Sequence, residues 1–171
     1  MDEQLDEPYL RQEARRWLKE NFPSRRYQIE PTVFHDIGLT LSEFVRKKFK
    51  GEQLTRIPKY QEISIRPDVI ALLITLKNQD FKLGWIISEC KVGKVNVADF
   101  RQVLHYANIA EAYNAYLFYF GELSREVLEA INRGGHLYTG TNKWGRTVKK
   151  RLIFVKYENN RFIKKSFNQE E

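Results

Sequence analysis

Residues 66–91, RPDVIALLITLKNQDFKLGWIISECK, decide the fold. Two runs rich in aliphatic and aromatic residues flank the polar tetrapeptide Lys77-Asn78-Gln79-Asp80. The first run, VIALLI, is apolar at every position and so belongs in the middle of a sheet covered on both faces. The tetrapeptide is turn chemistry, which returns residues 81–91 antiparallel beside the first strand. Asp68 opens the first strand, and Glu89 and Lys91 close the second. Side chains alternate across a strand, so Glu89 and Lys91 share one face, about 7 Å apart along it, while Cys90 points to the other. Pairing 68–76 with 81–91 sets Asp68 beside Glu89. A carboxylate placed after the apolar Ile86-Ile87 is costly to bury unless it is paired or coordinates a metal. Hard oxygen ligands of this kind select Mg²⁺ or Mn²⁺.

Upstream, residues 8–21 read as a helix, with Asp6 or Glu7 able to cap it and Pro8 suited to its first turn. Leu10, Ala14, Trp17 and Leu18 make its apolar stripe, with Glu13 on that stripe and Glu20 further along the same face. Residues 26–35 form a weak strand interrupted by Pro31, and residues 41–50 a short helix ended by Gly51. Strand character begins at Tyr60. Downstream, Asn96 and Asp99 form a capping arrangement for a helix over about 97–113. Phe100, Val103, Leu104, Ala107 and Ala110 give that helix a core face. Residues 115–121 read as a further strand and 124–132 as a short amphipathic helix. RGGHLYTGTNKWGR (133–146) reads as a long mobile loop. Residues 148–157 and 161–167 then read as a hairpin turning at Asn159-Asn160, a pair that tolerates positive φ. The order predicts one α/β domain over 1–171, a mixed sheet flanked by helices with a basic hairpin after it.

The chain has 171 residues and a formal charge of +7, and the charge is unevenly spread. Residues 1–22 carry six acids against four bases, whereas 133–165 carry ten bases against the single acid Glu158. This asymmetry suggests a polyanionic partner, nucleic acid before membrane, since no basic amphipathic helix is evident. Lys143, Arg146, Lys149, Lys150 and Arg151 are the candidate phosphate contacts, with Tyr138 or Trp144 able to stack on an exposed base. The lone cysteine, Cys90, cannot form an internal bridge, which fits a reducing, cytoplasmic setting. No apolar run approaches the roughly 18 residues of a membrane span, and the acidic N-terminus is unlike a secretory signal. No Walker-type glycine loop supports ATP hydrolysis. His35, His105 and His136 show no metal-ligand spacing.

Taken singly, Pro67-Asp68 is a common turn dipeptide, and Glu-x-Lys on a strand is usually a surface ion pair. Their order, the 21-residue separation of the acids and the helix that follows carry more weight than either alone. With Gln102 and Tyr106 one turn apart on that helix, Pro67-Asp68 and Glu89-Cys90-Lys91 resemble the PD-(D/E)XK nuclease superfamily, the restriction-endonuclease-like fold. The resemblance covers residues 8–121 and implies Mg²⁺-dependent phosphodiester hydrolysis, with DNA the expected substrate. It implies Asp68, Glu89 and the main-chain carbonyl of Cys90 as metal ligands. Lys91 would be the catalytic base or the group that orients the attacking water. A first-helix glutamate would complete the site, Glu13 being preferred and Glu20 second. Gln102 and Tyr106 would touch the substrate backbone or steady the lysine. Restriction, repair and junction-resolving nucleases all remain open, with a homodimer as one arrangement of two sites on one substrate. The rival reading is a nucleic-acid-binding protein that keeps the fold without catalysis.

Overall fold

A computed structural model describes residues 5–22, 32–51, 57, 64–77 and 80–167. Its centre is a mixed six-stranded sheet built from β1 (Thr32–Ile37), β2 (Val69–Lys77), β3 (Asp80–Val92), β4 (Asn114–Phe120), β7 (Ile153–Glu158) and β8 (Arg161–Lys165). They lie side by side in that order. The β1–β2, β2–β3 and β7–β8 pairs are antiparallel, and β3–β4 and β4–β7 parallel. Among the described residues there are four helices: α1 (Glu7–Asn21), α2 (Leu41–Lys48), α3 (Val97–Ile109) and α4 (Arg125–Asn132). The remaining strands, β5 (Leu137–Thr141) and β6 (Thr147–Arg151), form a separate two-stranded ribbon.

Alternation along the strands creates two cores. Ile70, Leu72, Ile74, Trp85, Ile87, Ala115, Leu117 and Tyr119 face one side, where Leu41, Phe44 and Val45 of α2 and Phe100, Val103 and Ala107 of α3 cover them. Val69, Ala71, Ile86, Cys90, Tyr116 and Phe118 face the other, under Leu10, Ala14 and Leu18 of α1. Burial on both sides is what the unbroken apolar reading of VIALLI requires. Fully burying aliphatic side chains of this size contributes roughly 1.5–3 kcal/mol each.

The helix starts follow the local chemistry. Asp6 caps α1 by accepting the Tyr9 N–H at 2.8 Å. Asn96 and Asp99 form a reciprocal capping box on α3, each accepting the other's main-chain N–H at 3.0 Å. Val69 pairs with Ser88 and Lys77 with Asp80, so the 66–91 hairpin forms in the predicted register.

Three expectations are corrected. Ser64–Pro67 is not strand, and β2 starts only at Val69; residues 60–63 and the weak strand's 26–31 lie outside the described residues. The stretch 133–146 is not one long loop, because Leu137–Thr141 pairs with Thr147–Arg151. The run 148–157 is therefore not one hairpin arm. It divides at Leu152, which is buried and donates its N–H to the His136 carbonyl at 2.8 Å, so that β6 joins the ribbon and β7 the main sheet. The β7–β8 turn at Asn159-Asn160 forms as read, with φ of +51° and +58°.

Candidate active site

The antiparallel register carries Asp68 to the position opposite Glu89. Glu89 follows Trp85 and Ile87 onto the α3 side of the sheet, where it is only 2% exposed. Glu89 Oε1 accepts the Asp68 main-chain N–H at 3.3 Å, and Asp68 Oδ2 accepts the Cys90 N–H at 2.8 Å. Each acid therefore ties down the other's strand. Burial, the adjacent Asp68 charge and a hydrogen bond between the two carboxyl groups push Glu89 up to about 8, with Lys91 pulling weakly the other way. Two like charges this close are not both ionised unless a cation joins them.

Lys91 leaves β3 on the same face as Glu89. Its Nζ stands 3.6 Å from Asp99 Oδ1, while the other oxygen of Asp99 completes the α3 cap. Burial works against the ammonium, but Glu7, Asp99, Glu89 and Asp68 together outweigh it and hold Lys91 above its ordinary range. An ammonium held this way donates hydrogen bonds and does not accept a proton.

The first helix reaches the site through residues that the apolar stripe did not single out. Arg11 Nη2 lies 2.7 Å from Asp68 Oδ1 and 3.4 Å from Glu7 Oε2. Glu7 is also the largest favourable charge acting on Lys91. Glu13 does not join them. It pairs with Arg16 at 2.7 Å and, with Glu20, Trp17, Tyr157 and Arg161, lines a separate groove between α1 and the β7–β8 hairpin. Successive helical residues advance about 100°, so Glu7 and Arg11 share a face while Glu13 is turned well away from both. The signal that could have found Glu7 was its i,i+4 spacing to Arg11 at the end of the helix nearest the site.

Other candidates are placed as follows. The Cys90 thiol is fully buried on the α1 side, where burial pushes it up, so only its carbonyl remains a candidate ligand. Gln102 donates to the Tyr106 hydroxyl at 3.3 Å, and it is Asp99 that pairs with Lys91. Tyr138 is 1% exposed and no stacking platform, whereas Trp144 is 59% exposed at the ribbon's turn.

Lys143, Arg146, Lys149 and Arg151 are exposed, and among the described residues none of them forms an ion pair. Lys143 lies over the Trp144 ring at 4.3 Å, and Lys149 donates to Thr139 Oγ1 at 3.0 Å. Lys150 is half-buried over the Tyr113 ring at 4.3 Å and donates to the Thr141 carbonyl. The ribbon docks on the far end of α3, where Thr139 donates its N–H to Asn108 Oδ1 at 2.8 Å. Asn108 is nine residues beyond Asp99, about 13 Å along the helix. The carboxyl pair and the ribbon thus stand at opposite ends of α3.

Among the described residues no group of three or more His, Cys, Asp or Glu side chains is assembled to hold a metal ion. The donors at hand do suit a hard divalent cation. They are two adjacent carboxyl groups, that of Glu89 pushed up chiefly by burial, with the Cys90 carbonyl between Glu89 and Lys91. No protein-family model, no curated protein and no solved structure matches the chain. Its α/β architecture, with helices on both faces of a mixed sheet, stands on the structure alone. Among the described residues no helix is long and apolar enough to cross a membrane.

Proposed function

We propose that this chain is a metal-dependent nuclease of the restriction-endonuclease-like type, hydrolysing phosphodiester bonds in nucleic acid, with DNA as the favoured substrate. The reading rests on one observation. Asp68 and Glu89, 21 residues apart in sequence, meet at one end of β2–β3, Glu89 accepting the Asp68 main-chain N–H and Asp68 the Cys90 N–H, and Lys91 extends from the same face as Glu89. Asp68, Glu89 and the Cys90 carbonyl would hold Mg²⁺ or Mn²⁺, and Glu7, whose charge acts on Lys91, takes the place of Glu13 as the α1 acid proposed for that centre. When bound, the ion would polarise the phosphate and activate water.

The chain's own groups supply the remainder. Lys91, kept as an ammonium by its acidic neighbours, directs N–H groups at the attacking water or at a non-bridging phosphate oxygen and offsets charge in the transition state. Asp99 fixes the lysine's direction while anchoring α3. Between the two options for Lys91, water orientation is favoured over proton abstraction. The exposed cations of the β5–β6 ribbon would hold the backbone at a distance from the scissile bond.

The rival, a nucleic-acid-binding protein without catalysis, draws support from the Arg11–Asp68 ion pair, which gives Asp68 a structural partner without a metal. Incubation of supercoiled, linear, flapped and four-way DNA with Mg²⁺, Mn²⁺ or EDTA separates the two. The nuclease reading requires cutting that EDTA stops and that Asp68→Ala and Lys91→Ala abolish. Binding without cutting of any of these substrates by the wild type sinks it.

A further inference from the structure

Each oxygen of Asp68 already has a partner. Oδ2 accepts a main-chain N–H from Cys90, a bond built into the meeting point of β2 and β3. Oδ1 faces the Arg11 guanidinium at 2.7 Å, a side-chain contact that can exchange. Arg11 is incompletely satisfied in that position: the same nitrogen is shared with Glu7 at 3.4 Å, and Nε is buried without a hydrogen-bond partner. A buried donor left unpaired costs about 1–3 kcal/mol in general, so nearly all such groups in folded proteins are paired. Arg11 is held by its two ion pairs and a long Nη2 hydrogen bond to Glu7, with Nε left over.

We propose that Arg11 is a resident cation that stands in for the divalent ion at Asp68 Oδ1 and must be displaced when the ion binds. The proposal rests on the nuclease reading of Asp68 and Glu89 and adds a determinant of metal affinity on α1. Without metal, the guanidinium offsets the repulsion within the carboxyl pair, which lets the sheet end close. With metal, its positive charge and its hold on Oδ1 both oppose the incoming ion. Glu7, one turn before Arg11, gives the released guanidinium a place to stay within the same helix. Arg11 is therefore a positioning residue whose removal strengthens metal binding, the opposite of what removing a ligand does.

The test is calorimetric titration of Mn²⁺ alone into the full chain as wild type, Arg11→Gln, Arg11→Lys and Asp68→Asn. Arg11→Gln should bind Mn²⁺ about tenfold tighter or more, because a neighbouring positive charge is gone. Arg11→Lys, which keeps the charge, should stay near wild type, and Asp68→Asn should lose binding. A second readout follows the wild type itself: the Arg11 Nε–H resonance, assigned by its loss in Arg11→Lys, should shift as Mg²⁺ is added. Equal Mn²⁺ affinity in wild type and Arg11→Gln, with an unmoved Nε–H signal, overturns the role of Arg11 and leaves the metal centre standing. No Mn²⁺ binding by wild type or by Arg11→Gln removes the metal centre and this proposal with it.

Discussion

The two ends of α3 handle charge in opposite ways. At its start, every ionic group of the candidate site has a partner within the chain: Arg11 with Asp68 and Glu7, Lys91 with Asp99, and Glu89 with Asp68. At its other end, residues 130–157 contain no acid at all, and the ribbon's cations settle on aromatic rings and hydroxyl groups. The first arrangement is closed on itself, half-buried around the buried Glu89, and changed only by a group able to compete for its oxygens. The second is open and solvated, and among the described residues Lys143, Arg146, Lys149 and Arg151 have no ion pair. On the proposed reading, chemistry and recognition are divided between two places about 13 Å apart along one helix, and substitutions at each should fail in different assays.

The largest effects should separate the ends cleanly. Lys91→Ala removes the ammonium that the proposed function assigns to the reacting phosphate and should lower metal-dependent cleavage by about 10²–10³-fold or more, as losing one transition-state donor does elsewhere. DNA affinity, measured by fluorescence anisotropy, should change less than about twofold. Neutralising Lys143, Arg146, Lys149 and Arg151 together should do the reverse. Each phosphate contact contributes about 0.9 to the slope of log affinity against log salt. Loss of four should flatten that slope by about 3–4, while cleavage of saturating DNA stays within a few-fold of wild type. Cleavage at saturation that falls as steeply as binding would show that the ribbon belongs to the catalytic end, and the division would be broken.

The sequence reveals these ends unequally, for physical reasons. The hairpin of residues 66–91 is legible because strand alternation is strict and the turn is polar, so Asp68 and Glu89 meet as the pattern requires. The contribution of α1 is not. Glu13 sits beside the apolar stripe and looks directed inward, but Arg16 captures it at the stripe's edge. Glu7 and Arg11 lie at the helix end, and only the tertiary fold carries them to Asp68. The ribbon is hidden by its glycines. Gly140 reads as loop, yet a Cβ there would come within 2.2 Å of the Ala112 carbonyl oxygen, so the glycine marks close docking of a strand. Tyr138 is likewise taken into the core two residues earlier, and its phenol is pushed up chiefly by burial. Local pattern cannot distinguish a flexible glycine from one required by a neighbour's backbone.

Proton linkage offers a smaller test of the closed end. Burial and the Asp68 charge push Glu89 in the folded chain up to about 8, above the ordinary carboxyl value of 4.5. Between those values the native state binds more protons than the unfolded state, so stability falls as pH rises through the window. Without divalent ions, the melting temperature should drop by several degrees between pH 5 and pH 8, on the order of 2–3 kcal/mol. Glu89→Gln should flatten the profile, and Mg²⁺ should restore the wild type at pH 8. A flat wild-type profile would mean that the two carboxyl groups are not coupled. The same substitution at the ribbon end, Lys149→Gln, should leave the profile as it was.

The smallest effect belongs to Trp144, and it sharpens the open end to one residue. Trp17 packs edge-on against Tyr116 and Phe118, and Trp85 is 8% exposed beside Phe44. Only Trp144, of the three, stands in solvent. Stacking on a base is worth about 1–3 kcal/mol, so Trp144→Ala should weaken single-stranded DNA binding by about tenfold or somewhat more. Its contact with Lys143 is exposed and worth about 0.5–1 kcal/mol, so the melting temperature should move by no more than a few degrees. Fluorescence supplies the check: quenching on adding DNA to the wild type should largely vanish in Trp144→Phe, because Trp85 is buried and Trp17 is half-buried against Tyr116 and Phe118. Quenching that persists in Trp144→Phe would mean that nucleic acid meets the groove beside Trp17 instead. Recognition would then lie on the α1 face of the sheet, and the ribbon's unpaired cations would lose their assigned purpose.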